Sequence, residues 1–354
     1  MDAAINRFVD SQVPLRKIGQ GFCGTVWADL DENGDLDGHH HLALKREDGG
    51  PGRSILHEHL VHKRLLETIQ KTSDVNLARF RVNLPFCEGL LLRDSPHWPR
   101  ILPRLPPGFE PCNALVNEKI PSMPGRVCTL LARIYHPEAI SSPAVATAIN
   151  DHCLVRPYLG RRRHRPHATA ARARPNRLLV FSLRNFPLHI DQIEQLNLPA
   201  GDYAVAMADA LAFLHWTARV DANDVEFVLA PARGPPNATK PSPGIGSIGF
   251  QSEALGTHTM WVLDFDCCRD MPMNEAGVKQ AARSFLRNDP FYPRPPSSRN
   301  PTASDEKLWN TFRSRFLETS RSILREEAEF TQQLPVLLME EIVRTSVQEN
   351  LSDV

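Results

Sequence analysis

The chain has 354 residues, 42% of them hydrophobic, and its Lys+Arg and Asp+Glu totals are equal at 41 each. That length and apolar content suffice for one large domain or two lobes with a proper core, and they exclude a disordered tail. Balanced charge excludes a global field that would draw nucleic acid or an anionic membrane surface, so any basic patch must be local.

No apolar run approaches the ~20 residues that span a bilayer. The opening stretch MDAAINRFVDSQ carries charge in place of an apolar signal segment. An intracellular protein, cytoplasmic or nuclear and without a membrane partner, is expected. Seven scattered cysteines fit reduced thiols in a reducing compartment. Thirty prolines, against about 18 at average usage, mark long loops.

Leu15–Trp27, LRKIGQGFCGTVW, sets Gly19, Gly21, Gly24 and Val26 in a G-x-G-x-x-G-x-V spacing between strand-like segments. Glycines there permit a tight hairpin whose backbone can approach phosphate without Cβ collisions, although such hairpins also occur as plain turns. A dinucleotide fold would place a helix next; Asp31-Glu32-Asn33-Gly34-Asp35 reads as a turn. His39, His40 and His41 alternate faces on an extended chain and make a poor chelating set. Ala43-Leu44-Lys45 is then a short strand ending in lysine. Taken alone, that lysine reads as a surface charge; its place after the glycine hairpin favours a phosphate-facing role. Arg53–Glu67 carries Ile55, Leu56, Leu60, Val61, Leu65 and Leu66 at helical spacing. Glu58 on that helix is a candidate partner for Lys45, with Glu67 the fallback.

From Leu77 to Ile149, prolines and short apolar runs predict irregular strands and loops that complete a first lobe, residues 1–155. Leu154-Val155 predicts a strand broken at Pro157, and Tyr158-Leu159-Gly160 continues extended, as a hinge between lobes or a plain linker. Read as a hinge, it puts Arg156 and Tyr158 beside a bound base. Residues 161–177, RRRHRPHATAARARPNR, form the one strongly basic run. It reads as a nuclear-localisation or nucleic-acid patch, or as a solvated insertion; the lack of interleaved aromatics favours the insertion.

The second lobe, residues 156–354, opens with helices predicted over Pro187–Leu196 and Asp202–Trp216, the latter apolar almost all round and capped by Asp202. In VDANDVEFVLAP, Asp221, Asp224 and Glu226 precede an apolar Phe227-Val228-Leu229. A Pro/Gly/Ser-rich insertion at 230–256 follows. Met260-Trp261-Val262-Leu263 then reads as a buried strand that ends at Asp264 and Asp266. Carboxylates leaving a core strand need a cation, of which Mg²⁺ held against phosphates is one candidate, unless the strand simply runs into a solvated turn. Helices over Gly277–Leu286, Ser304–Phe330 and Leu334–Leu351 complete the chain.

Taken in order, the glycine hairpin, Lys45, Glu58, the apolar helix ending near His215, Asp221 and Asp264-Phe265 resemble the protein-kinase and aminoglycoside-phosphotransferase superfamily over roughly Ile18 to Arg269. The resemblance implies an α+β fold of two lobes, a small antiparallel β-rich N-terminal lobe and a larger, mainly helical C-terminal lobe. It implies ATP under Gly19, Gly21, Gly24 and Val26, with Lys45 on the phosphates, Asp221 orienting or deprotonating an acceptor hydroxyl, and Asp264 chelating Mg²⁺. The chain also resembles a fungal family of unassigned function, domain of unknown function 3669, often labelled zinc finger protein. FSLRNFPLHIDQIEQL, DANDVEFVLAP, MWVLDFDCCRDM and RNDPFYPRP carry that likeness.

The departures matter too. Arg219-Val220 stands where His-Arg precedes the loop aspartate, Glu226 replaces the metal-binding asparagine, Asp266 replaces the glycine of D-F-G, and no A-P-E segment follows. Glu226 and Asp266 can ligate Mg²⁺ as oxygen donors beside Asp264, and an acid two residues past the metal aspartate resembles small-molecule phosphotransferases. The same excess of negative charge fits a catalytically inactive scaffold. The expected activity is thus atypical phosphotransfer to a small-molecule or protein acceptor, with an inactive scaffold or a nuclear, DNA-associated regulator as alternatives. Zinc is not expected, because Cys267 and Cys268 are adjacent and the other cysteines stand singly.

Overall fold

The computed structural model describes residues 3–29, 42–72, 80–136, 152–163, 182–233, 249–296 and 301–352. The Asp31–Asp35 turn, His39–His41, most of the basic run at 161–177 and most of the insertion at 230–256 lie outside those residues. A short amphipathic helix, α1 (Ala3–Asp10), precedes the first sheet. Its strands are β1 (Leu15–Gln20), β2 (Thr25–Asp29), β3 (Leu42–Arg46), β4 (Cys87–Leu91) and β5 (Ala114–Glu118). They pair antiparallel in the order β1-β2-β3-β5-β4. Apolar side chains on one face, among them Leu15, Trp27, Leu44 and Val116, pack with Phe8 and Val9 of α1 and with Trp98 and Ile101 of α3 (Trp98–Ile101).

Between β3 and β4 runs α2 (Ile55–Lys71), started by the Ser54 side chain, which accepts the His57 N–H. Its buried stripe is Ile55, Glu58, Val61, His62, Leu65 and Ile69, at the spacing of one helix face. Leu56 and Leu60, expected inside, are exposed, and a glutamate and a histidine take interior places. The stripe's lower half belongs to the core beneath the second sheet, so α2 ties the two sheets together.

The second sheet contains β6 (Val155–Tyr158), β7 (Phe186–His189), β8 (Glu226–Ala230), β9 (Phe250–Ser252) and β10 (Gly256–Leu263), in the order β7-β6-β8-β10-β9. β10 is buried almost throughout and pairs antiparallel with β8 and β9. Asn83 bonds through its backbone to Met260 and Val262, which links the chain before β4 to β10. Around this sheet lie α4 (Gly125–Tyr135), α5 (Ile190–Gln195), α6 (Ala200–Ala212), α7 (Glu275–Arg287), α8 (Ala303–Ile323) and α9 (Glu329–Ser352).

The fold is therefore α+β, with two five-stranded sheets and nine α-helices among the described residues, a layout compatible with two lobes. α6 starts at Ala200, before Asp202, and widens into a π-helical turn over Phe213–Thr217. Its interior position costs it one buried carboxylate, Asp209, which Arg315 and Thr319 of α8 satisfy. The segment read as one helix over Pro187–Leu196 divides into β7 and α5, because Phe186–His189 finds a parallel partner in β6. The predicted Ser304–Phe330 helix ends at Ile323, and the chain turns before α9.

One expectation is corrected by topology. The strand expected at Leu154-Val155 does not break at Pro157; β6 continues through it to Tyr158, bonded to β7 and β8 inside the second sheet. The first sheet ends at Glu118, well before residue 155.

Candidate functional site

A cleft lies where the β1–β2 hairpin, β3, α2, the end of β5 and the end of β10 converge. Ile18, Val26, Ala43, Ile120 and Leu263 give it apolar walls, and Gly19, Gly21 and Gly24 line it along the hairpin. A Cβ on Gly21 would meet nothing within 4 Å, so that backbone stands open. At Gly24 a Cβ would overlap the Arg46 carbonyl oxygen and the Asp48 backbone nitrogen. Gly24 is thus needed for packing, whereas Gly21 leaves room for a ligand.

Lys45 reaches from β3 to two carboxylates delivered by different elements. Its Nζ is 2.7 Å from Glu58 Oε2 on α2 and 2.9 Å from Asp264 Oδ1, just past β10. Burial works against the lysine charge, yet Glu58 and Asp264 together hold its pKa well above the ordinary value. Burial raises Glu58 in turn, and Lys45 offsets only part of that rise. Asp264 sits at φ 67°, a left-handed conformation that turns the chain sharply out of the strand.

The other predicted metal carboxylates each have a cation of their own. Asp266, with a side chain only 1% exposed, accepts from Arg53 Nη1 at 2.7 Å, and the same nitrogen is 2.7 Å from Asp224. The second Asp266 oxygen is buried without a hydrogen-bond partner. Burial, then the charge of Asp264, lifts the Asp266 pKa against the pull of Lys45 and Arg53. The Phe22 ring, 61% exposed at the hairpin tip, lies 5.4 Å from the Arg53 guanidinium. Glu226 is held by Arg156, and burial lifts it to about 7. Glu118 pairs with buried Arg233. Among the described residues, and apart from Glu118, five carboxyl groups (Glu58, Asp224, Glu226, Asp264 and Asp266) and three cations (Lys45, Arg53 and Arg156) line the cleft.

Asp221 is not among the residues that line the cleft. It is 2% exposed, and its carboxylate accepts from the backbone N–H groups of Asn223 and Arg269 and from the Gln280 amide. The turn through Ala222 and Asp224, both at positive φ, points Asp224 toward the cleft in its stead. Tyr158 is also elsewhere: its hydroxyl donates to Asp289, and its ring packs edge-on against Phe291. Asn117 and Glu118 at the end of β5 and Ile120 just past it line the cleft together with Arg156, and Tyr158 is not among the lining residues.

Sequence reasoning missed Arg53 and Asn117 and gave Asp224 no role. The pattern held no signal for Arg53, which lies in a turn ahead of α2. Arg162 and Arg163, the described arginines of the basic run that carry ion pairs, are taken up by Glu194, Asp305 and Asp191.

Among the described residues, Asp224, Asp266 and Cys267 form a group able to converge on a metal ion. All seven cysteines are free. Neither the curated proteins nor the solved structures searched give a match to the chain. Over residues 260–328 the chain is similar to the family of domain of unknown function 3669, which carries the description zinc finger protein.

Proposed function

We propose that the cleft binds a nucleoside triphosphate, with ATP and Mg²⁺ as the expected pair, in the manner of the protein-kinase and aminoglycoside-phosphotransferase superfamily. One observation carries the reading: Lys45 spans Glu58 and Asp264 directly beneath a glycine hairpin. A lysine so fixed is a point charge held at one place for phosphate oxygens, and its carboxylate partners keep it protonated. Val26, Ala43 and Leu263 supply apolar surface suited to a base.

The residues present fit a divalent cation as well. Carboxyl groups outnumber cations in the described lining, so a cation entering with an anionic nucleotide finds oxygen ligands there, and Asp266 has a buried oxygen with no partner. Asp264 would hold the ion, with Asp266 and Glu226 behind it. Bound there, Mg²⁺ supplies neutralisation of the charge that develops on the phosphates. Asp224, open to the cleft, is the carboxylate placed to accept an acceptor's proton.

A second reading, nucleotide binding without transfer, is favoured by one specific feature: the Asp221 carboxylate is saturated by donors within its own lobe. The zinc finger description does not fit the residues it covers. Positions 260–328 contain Cys267 and Cys268 and no histidine, short of the four ligands a structural zinc site closes with.

Titration with MgATP under thermal denaturation tests the proposal. Wild type should be stabilised in a saturable way, and Lys45→Ala should lose the response; no stabilisation of wild type would sink the reading. Release of phosphate to water or a hydroxyl acceptor then separates transfer from binding alone.

A further inference from the structure

We propose that Asp224, Asp266 and Cys267 form a cation site selective for a borderline-soft divalent ion of the zinc and cobalt class, which Arg53 guards by occupying the gap between the two carboxylates. The donor atoms of the three residues all lie within 4.8 Å of one another. Ligands around a tetrahedral zinc-type ion stand roughly 3.5 Å apart, given bonds of about 2.0 Å to oxygen and 2.3 Å to sulfur. Small rotations of three side chains therefore close the set.

Two further observations point to a cation at that spot. One oxygen of Asp266 is buried and has no hydrogen-bond partner, on a side chain that is 1% exposed. A positive group already sits between the carboxylates, since Arg53 Nη1 is 2.7 Å from both Asp224 and Asp266. The thiol decides the class of ion. Thiolate disfavours Mg²⁺, which wants hard oxygen ligands in an octahedron, and favours zinc-type ions. On binding, the Cys267 thiol releases its proton to solvent and a sulfur–metal bond forms, while the Arg53 guanidinium leaves the carboxylates.

Three protein ligands leave a fourth position, and Asp224 and Asp266 both face the cleft. Such a site keeps one coordination place open to solvent or a ligand, unlike the closed four-ligand site of a zinc finger. The site shares Asp224 and Asp266 with the nucleotide reading, but it needs neither Lys45 nor the glycine hairpin and is read through Cys267, which that reading does not use.

Cobalt(II) titration of the full chain, freed of metal by a chelator, tests it through thiolate-to-cobalt charge-transfer absorption. Wild type should develop the band at one equivalent, Zn²⁺ should bleach it, and excess Mg²⁺ should leave it in place. Cys267→Ser, a nearly isosteric change that keeps the fold, should abolish the band. Arg53→Gln should tighten binding about tenfold, the scale of one lost charge-assisted contact. The site is overturned if wild type gives no band, or if the band survives in Cys267→Ser and so belongs to another cysteine. The guarding role is overturned if Arg53→Gln binds no more tightly.

Discussion

Lys45 and Asp264 are 219 residues apart in the chain and 2.9 Å apart in space. One comes from the middle strand of the first sheet and the other from just past the end of β10, which lies between β8 and β9 in the second, so the pair joins the two sheets across the cleft. Glu58 completes the cluster from α2, where it is almost wholly buried.

Removing the lysine leaves Glu58 buried with no counter-charge. Lys45→Met should cost about 3–5 kcal/mol, the range for breaking a buried pair from one side. Glu58→Gln in the same chain should recover much of that loss, since the carboxylate then left without Lys45 is that of Asp264, which is partly exposed to solvent. Urea unfolding of both singles and the double variant measures the coupling; additive losses would show that the pair contributes little.

The hairpin glycines should separate into two kinds. Gly24→Ala places a methyl group against the Arg46 carbonyl and the Asp48 backbone, so it should lower the melting temperature by several degrees. Gly21→Ala meets nothing in the protein and should leave the melting temperature within about a degree, because open surface tolerates a methyl group. Its effect should appear only as weaker MgATP stabilisation. Equal loss of stability in both variants would contradict this division.

Asp221 and Asp224 should also separate. Asp221→Asn presents an amide to donors that now share a carboxylate, and should destabilise the fold by about 1–3 kcal/mol. Asp224 pairs with Arg53 at a partly open position, so Asp224→Asn should change stability by less than about 1 kcal/mol. Where turnover is found, it is Asp224→Asn that should remove it with nucleotide binding retained. Normal turnover in Asp224→Asn would return the proton-accepting role to another group.

The pH dependence of stability has two opposed parts. Burial raises Glu226 to about 7, so the folded chain holds that proton more tightly than the unfolded one. Its contribution is complete below pH 4.5 and is lost as pH rises through about 7. His62 and His215 run the other way. Burial lowers each to about 4, so stability falls as acidification from 6.5 protonates them only in the unfolded chain. Glu226→Gln removes the first part, so its stability should fall more steeply than wild type between pH 6.5 and 4.5. Parallel curves in urea unfolding would count against the raised value.

Several local features were legible before any coordinates. The glycine spacing marks a hairpin, because only a residue without Cβ clears Arg46 and Asp48 at Gly24. The apolar run Met260–Leu263 marks a buried strand, and Asp264 and Asp266 follow it at once. Glu58 was accessible as a residue on a helix, though its buried stripe was read with Leu56 and Leu60 inside. Pro157 reads as a strand break because it has no N–H to donate, yet β6 runs through it to Tyr158; only its pairing with β7 shows that the strand goes on.

Sequence alone determined the glycine hairpin, the buried strand before Asp264 and the long helices such as α2 and α6, because those follow from side-chain volume, periodicity and the freedom of glycine, whereas β7 and α4 fell in segments it read otherwise. The tertiary structure decided which charges meet. Arg53 reaches Asp224 and Asp266 from a turn more than 170 residues earlier, and a backbone at positive φ turns Asp224 into the cleft while Asp221 is held by Gln280. Ion pairs form by proximity in space, and proximity is set by how sheets and helices pack, a property that no window of neighbouring residues contains.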